Sequence, residues 1–305
     1  MILSASRRTD IPGYYSEWLM NRLKEGFAYY RNPMNSAQLC KVLLTPENID
    51  CIVFWTKDPA PMLKHLEKLD ALGYRYYFQF TITPYGLHYQ GSAFGKYLEP
   101  NLREKREIIQ TFQELSDRIG KGRVLWRYDP IVLNDTLTEQ YHLEQFTALC
   151  KELSGYTELC TISFADVYRK LSNVVKDQVL REISPEQMHS LSTAFSGIAA
   201  PMGISLRACC EAVDLTGDGI LPASCIDRET VEKICGPAVT AGKDKSQRPH
   251  CGCMKSIDIG AYNTCRNGCI YCYANHSGAS IDRNYSRHDP TSPIMIGYPE
   301  KEVLP

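Results

Sequence analysis

At 305 residues the chain is long enough for about two average domains, or for one domain of about 250 residues with an appendage. A composition of 44% apolar and 23% charged residues excludes a disordered or collagen-like chain, and 34 Lys and Arg against 35 Asp and Glu argue against a protein that binds chiefly by neutralising phosphates, leaving room only for a local basic patch. No apolar run approaches the roughly 20 residues that span a bilayer, and Met1-Ile-Leu-Ser-Ala-Ser-Arg-Arg has none of the layout of a signal peptide, so a soluble cytoplasmic protein with no membrane partner is expected.

The first strand is expected over Ile2 to Ser6. Asp10-Ile-Pro then reads as a helix start with Pro in the first turn, and apolar residues recur at helical spacing over Tyr14 to Lys24. Further strands are expected at Cys51 to Thr56, Arg75 to Thr83, Arg123 to Tyr128, Leu159 to Phe164 and Ile204 to Cys209. Helical spacing fills the intervals at Ala60 to Leu72, Asn101 to Ile119, Leu137 to Leu153 and Pro185 to Ala199. The strands are apolar nearly throughout, as strands buried on both faces are, and the alternation with helices implies parallel strands joined by right-handed crossovers. After Glu211 the pattern lapses. Asp214-Leu-Thr-Gly-Asp-Gly-Ile and Gly236 to Pro249 read as loops, Ser256 to Gly260 as a last short strand, and the chain beyond Asn275 as an extended tail.

Polar residues gather where the strands end: Ser6-Arg7-Arg8-Thr9-Asp10, Thr56-Lys57-Asp58, Gln79 with Thr81 and Thr83, Arg127-Tyr128-Asp129-Pro130, Ser163 with Asp166, and Glu211. The same polarity after six strands favours a shared cavity over mere solvation of strand ends. The expected fold is α/β, a full or partial (β/α) barrel over residues 1–211 with functional groups at its C-terminal rim. Residues 212–305 form a Cys-rich region and tail packed on it.

Thirteen cysteines, an odd number without an export signal, favour metal or redox chemistry over a disulfide framework, and nine of them fall between Cys209 and Cys272. Cys40, Cys51, Cys150 and Cys160 read as small buried hydrophobes. Cys265-Arg-Asn-Gly-Cys269-Ile-Tyr-Cys272 has the spacing C-x3-C-x2-C. Three thiolates wrapped so tightly suit a cubane [4Fe-4S] cluster with three irons held and one open, and Gly268 lets the loop curl around it. Zinc normally takes four ligands in a pair-plus-pair layout, so it needs a further ligand here, for which His276 or Cys253 is available. Cys209, Cys210, Cys225, Cys235, Cys251 and Cys253 make up the rest of the dense region. Cys225, Cys251 and Cys253 with one of Cys209 and Cys210 supply the four thiolates of a second [4Fe-4S] cluster; a four-thiolate zinc site and redox-exchanging thiols are the alternatives.

C-x3-C-x2-C with Tyr271 before the last Cys resembles the radical S-adenosylmethionine superfamily, and Tyr271-Cys-Tyr-Ala is similar to its spore photoproduct lyase branch. Along its length the chain resembles the bacterial family called domain of unknown function 1848. The matching segments are Ser4-Ala-Ser-Arg-Arg-Thr-Asp-Ile-Pro, Ile52-Val-Phe-Trp-Thr-Lys, Trp126-Arg-Tyr-Asp-Pro, Cys225-Ile-Asp, Cys251-Gly-Cys and Tyr271-Cys-Tyr-Ala-Asn. The superfamily resemblance implies S-adenosylmethionine on the open iron, cleaved after reduction to a 5′-deoxyadenosyl radical, with flavodoxin or ferredoxin as electron donor. The family pattern of Cys, a small residue, then Glu implies Cys209 rather than Cys210 as ligand. The superfamily carries its triad after the first barrel strand, whereas here it lies near the C-terminus. A circularly rearranged barrel is therefore expected, with Ser256 to Gly260 in the place of that first strand.

On this reading Arg7, Arg8, Lys57, Gln79 and Tyr271 bind the cofactor, and Arg127, Asp129 and Glu211 orient the substrate, a small molecule or a nucleic acid. Tyr128 or Cys210 is the candidate hydrogen-atom donor. Two other classes stay open: a zinc-bound structural or nucleic-acid-binding protein whose Tyr14, Tyr15, Tyr29, Tyr30 and Arg31 stack on bases, and an iron–sulfur electron carrier or redox sensor.

Overall fold

The computed structural model describes residues 1–85, 98–165, 180–236, 239, 241–247 and 251–299. Ten strands are present among them: β1 (Ile2–Ala5), β2 (Phe27–Asn32), β3 (Asn35–Leu43), β4 (Cys51–Thr56), β5 (Tyr76–Thr81), β6 (Val124–Ile131), β7 (Leu159–Phe164), β8 (Ser205–Cys209), β9 (Leu221–Ala223) and β10 (Ser256–Asp258). Eight form one sheet in the order β10-β1-β4-β5-β6-β7-β8-β9, with every pairing parallel. All six strands expected before Glu211 are there, as is the short one at Ser256. The protein is thus a mixed α/β fold on a parallel eight-stranded sheet.

That sheet order places the last strand of the sequence first. β10 pairs with β1, Ile2 opposite Ser256 and Ser4 opposite Asp258. Among the described residues β9 and β10, the two outer strands, do not pair with each other. Instead the Met254 N–H donates to the Ile226 carbonyl at 2.9 Å, tying the segment after β9 to the segment before β10. Both outer strands come from beyond residue 211, so the region expected as an appendage completes the sheet itself.

Side chains along a strand alternate between faces, and the two faces here have different tasks. Leu3, Ile52, Phe54, Phe78, Trp126, Ile162 and Leu206 turn outward into the larger core beneath the helices. Ile2, Cys51, Val53, Tyr77 and Leu125 turn the other way and pack with Cys225, Cys251 and Cys253. By the same alternation Ser4, Trp55, Gln79, Arg127, Ser163 and Cys209 share that second face and lie toward the strands' C-terminal ends.

Nine helices cover the outer face and the C-terminal region of the described residues: α1 (Ile11–Tyr14), α2 (Ser16–Glu25), α3 (Ala60–Leu63), α4 (Leu66–Ala71), α5 (Lys105–Ile119), α6 (Glu139–Leu153), α7 (Pro185–Ala199), α8 (Arg228–Cys235) and α9 (Gly278–Ser286). Helix α5 buries Ile108, Ile109, Phe112, Leu115 and Ile119 on one stripe. Helix α7 spans the residues expected, Pro185 to Ala199, and opens in a capping box between Ser184 and Gln187. Phe146 of α6 stacks between Trp126 of β6 at 5.3 Å and Phe195 of α7 at 4.0 Å, locking two helices to the sheet's centre.

The structure corrects several expectations. The start at Asp10-Ile-Pro opens a short helix of its own, α1, ahead of the helix expected over Tyr14 to Lys24, which is α2, and the helix expected from Ala60 breaks before Leu66. Helix α5 starts at Lys105 rather than Asn101, because residues 98–101 bond the loop that carries the cysteine triad. Tyr29, Tyr30 and Arg31 lie in a β2–β3 hairpin. The tail is no loose extension: α9 lies within it, Ser292 is fully buried, and its carbonyl accepts from the Trp18 indole at 2.9 Å. Asp166 and part of the 236–249 loop lie outside the described residues. No helix among the described residues is long and apolar enough to cross a membrane.

Candidate functional site

At the C-terminal edge of the sheet lies a cavity of about 820 Å³, lined by Arg7, Arg8, Lys57, Arg127, Asp129, Glu211 and Tyr271 among others. Eight cysteines line it too: Cys209, Cys210, Cys225, Cys251, Cys253, Cys265, Cys269 and Cys272. Of the predicted site residues, two are elsewhere. Tyr128 points to the outer face, where it is fully buried and its hydroxyl meets His142 Nδ1 at 2.8 Å; it cannot reach the cavity to donate a hydrogen atom. Gln79 sits just behind the wall. Its amide donates to the Cys225 carbonyl at 2.7 Å and its oxygen accepts from Arg127 at 3.4 Å, so it supports the site instead of facing it.

The triad loop follows β10 directly. Gly260 passes so close to Ser6 that an added Cβ would lie 2.0 Å from its hydroxyl. Asp258 anchors the strand end by accepting from Ser4, Ser6 and the Arg7 N–H, the last at 2.8 Å. Beyond it the Tyr15 hydroxyl donates to the Thr264 carbonyl at 2.6 Å and the Tyr14 hydroxyl to Asn267 at 2.7 Å. From the other side the Asn101 amide reaches the Arg266 carbonyl at 2.9 Å. Gly268 adopts φ +74°, and a Cβ there would meet Asn101 Nδ2 at 2.8 Å. The loop is therefore clamped by helix α1 and by residues 98–101.

Burial pushes the Cys265 thiol up to about 12, helped by nearby Asp10, while N–H groups of Asn267 and Asp10 bonded to the sulfur pull the other way. Cys269 is driven well above the ordinary thiol range by burial, with Lys57 opposing. Buried thiols of this kind ionise when a cation coordinates them, and metal binding then releases their protons. Behind Cys269 lies a buried charge network. Glu99, fully buried, accepts from Lys57 at 2.7 Å, from Thr83 at 2.8 Å and from the Tyr271 hydroxyl, and Lys105 stands 3.7 Å away. Burial works against the Glu99 carboxylate, but the two lysines hold its pKa below the ordinary value.

The other five cavity cysteines form a closed ring of contacts. Cys225 meets Cys209, sulfur to sulfur, at 2.9 Å, and also Cys253; Cys209 bonds Cys210, Cys210 bonds Cys251, and Cys251 bonds Cys253. Cys210 closes the ring from a left-handed backbone, φ 58°. Arg127 donates to the Cys225 sulfur at 3.3 Å and is itself held by Asp129. Arg7 lies 4.8 Å over the Trp55 ring and Arg127 lies 5.6 Å from it, so the indole is flanked by two cations. Hydrogen bonds from Cys209 and Cys253, with both arginines nearby, lower the Cys225 pKa well below that of an ordinary thiol. Cys235 stands apart and contacts Cys51.

Among the described residues no group of three or more His, Cys, Asp or Glu side chains is arranged to hold a single metal ion. A cubane asks for something else. Each thiolate takes a different iron, so its ligands stand around a volume instead of converging on a point. Three sulfurs on one clamped loop, facing an open cavity and receiving N–H groups, fit that demand. Sequence reading missed Trp55, Glu99 and Lys105. Trp55 was signalled by its strand parity with Cys51 and Val53, while Glu99 precedes any periodic segment and Lys105, at the start of a helical one, reads as a solvated charge.

An α/β protein with a cysteine-lined cavity at the C-terminal edge of a parallel sheet is the class this geometry defines. The chain belongs to the family described as Domain of unknown function (DUF1848), which it matches over residues 2–274. No curated protein matches it. Among solved structures it is similar to that of a "putative alpha-L-fucosidase" from Bacteroides thetaiotaomicron, at 12% identity and a TM-score of 0.28, covering 79% of this chain and 84% of that one.

Proposed function

We propose that this protein is a radical S-adenosylmethionine enzyme built on a circularly rearranged partial (β/α) barrel. The observation that carries the reading is the facing of Cys265, Cys269 and Cys272, on the loop after β10, into a cavity of about 820 Å³ ringed by cations. That volume lies in the range of small-molecule sites, roughly 300–1,000 Å³. Cys265, Cys269 and Cys272 would hold three irons of a [4Fe-4S] cluster, which when bound supplies the electron that cleaves S-adenosylmethionine to methionine and a 5′-deoxyadenosyl radical.

The chain's own residues bind and orient. Arg7 keeps a buried Nη2 without a hydrogen-bond partner among the described residues, a donor suited to a carboxylate of cofactor or substrate. Arg8, stacked 5.4 Å from the Tyr262 ring, and Lys57 add positive charge on the same wall. Glu99 fixes Lys57 and Tyr271 beside the triad, and Asp129 fixes Arg127. Glu211 accepts from the Phe164 N–H at 2.9 Å, which sets its carboxylate at the rim. A flavodoxin or ferredoxin would supply the electron from outside.

The test is anaerobic reconstitution with iron and sulfide, reduction with dithionite, and assay for 5′-deoxyadenosine. The expected result is its formation, even uncoupled from a substrate, and its loss in Cys265→Ala. An iron-loaded protein that yields none, or a colourless protein with stoichiometric zinc at the triad, would overturn the reading.

A further inference from the structure

We infer that the five-thiol ring is a second iron–sulfur cluster site, in which four of Cys209, Cys210, Cys225, Cys251 and Cys253 ligate a [4Fe-4S] cluster that clasps the two outer edges of the sheet. The inference is independent of what the triad does. Its members arrive from three separate places: the end of β8, the turn after β9, and the segment leading into β10. These are the two sheet ends that no strand pairing joins among the described residues.

Chance gathering of five thiols from such distant segments into one ring is a poor account of it, because a chain of this length buries ample core without any staple. An unligated set opening on a cavity would also be an oxidation liability. The second coordination requirement is met as well. The Ile226 N–H points at the Cys253 sulfur at 3.5 Å and the Arg127 guanidinium at the Cys225 sulfur at 3.3 Å, the bonds by which proteins tune cluster sulfurs. Four thiolates around a cubane of charge 2+ leave two negative charges, and the guanidiniums of Arg7 and Arg127 stand beside the ring to balance them.

Four thiolates would also close a zinc site; the sulfurs stand in contact, Cys209 and Cys225 at 2.9 Å, so either occupant would part them, and iron, sulfide and zinc content separates the two. The ring opens on the cavity that the triad faces, so the two sites share one chamber. A closed four-thiolate cluster there is placed to pass electrons across it.

The experiment uses the full chain with the triad removed, Cys265→Ala with Cys269→Ala and Cys272→Ala, reconstituted anaerobically with ferrous iron and sulfide. It is expected to retain about four irons and four sulfides and the absorption and reduced-state EPR of a cubane. No iron and sulfide in the folded triad variant, or zinc in their place, would overturn the inference. If that variant does not fold, Cys225→Ser with Cys253→Ser is compared with the parent chain. A loss of about four irons supports the second site, and an unchanged iron content refutes it. Failure of the triad alone would leave the triad variant's iron untouched, so the two readings fail separately.

Discussion

Replacing Lys105 by methionine removes an ammonium that is 2% exposed and stands 3.7 Å from Glu99, whose nearer partner, Lys57, is at 2.7 Å. Lys105 shares its counter-charge, and burial lowers its pKa from 10.5 to about 8. That displacement is worth about 3 kcal/mol against folding wherever the lysine is protonated in both states. Below pH 8 the penalty is complete. Between about pH 8 and 10.4 the unfolded chain binds a proton the folded chain has released, so stability rises with pH, and above that window the penalty is gone. Lys105→Met keeps an unbranched side chain of similar length. It is expected to raise the unfolding free energy by about 3 kcal/mol at pH 7 and by close to nothing at pH 10.5. Urea unfolding of both proteins at the two pH values, with reductant present, isolates Lys105 and its coupling to Glu99 and Lys57, because titrating groups away from this network cancel in the difference. A difference that is the same at both pH values, or one that grows toward pH 10.5, would refute the electrostatic account.

His142 is buried between the Tyr128 hydroxyl and the Val132 carbonyl at 2.8 and 2.9 Å, and burial lowers its pKa to about 4. Since the unfolded chain takes up that proton first, stability falls as pH drops from about 6.5 to 4, and the wild type should lose about 3 kcal/mol more than His142→Gln between pH 7 and pH 4 in denaturant titrations. Gly268→Ala places a Cβ on a left-handed residue 2.8 Å from Asn101 Nδ2. It should cost about 1–2 kcal/mol in thermal unfolding and reduce iron retained at the triad; an unchanged melting temperature would show that the loop is not clamped.

The sheet was legible because its strands are buried on both faces and therefore announce themselves as apolar runs with polar ends. Cys51–Thr56 and Leu159–Phe164 match the sequence reading to the residue. The cavity was legible for the same reason, since polarity after each strand points to one rim. What escaped were elements without an apolar stripe. Helix α9 buries no residue, so no periodicity marks it, and the Ser277 hydroxyl capping its first turn is the one local signal. The β2–β3 hairpin alternates poorly because its outer edge is polar and exposed. Tyr128 was misassigned to the cavity because parity along β6 is fixed by which neighbour, Arg127, turns inward. Glu99 and Lys105 escaped for a different reason: a buried ion pair has no period, only partners, and the others that complete this one, Lys57 and Tyr271, lie distant in sequence.

The pairing of β10 with β1 carries a consequence for biosynthesis. A ribosome delivers β1 some 250 residues before β10, the neighbour on its far side from β4. For most of translation the nascent domain presents a bare parallel edge at β1, a surface inviting wrong partners. The triad loop leaves the exit tunnel later still. On the proposed reading, a cluster at the triad would be assembled on a sheet whose other strands are already made, so its maturation would follow the folding of that sheet.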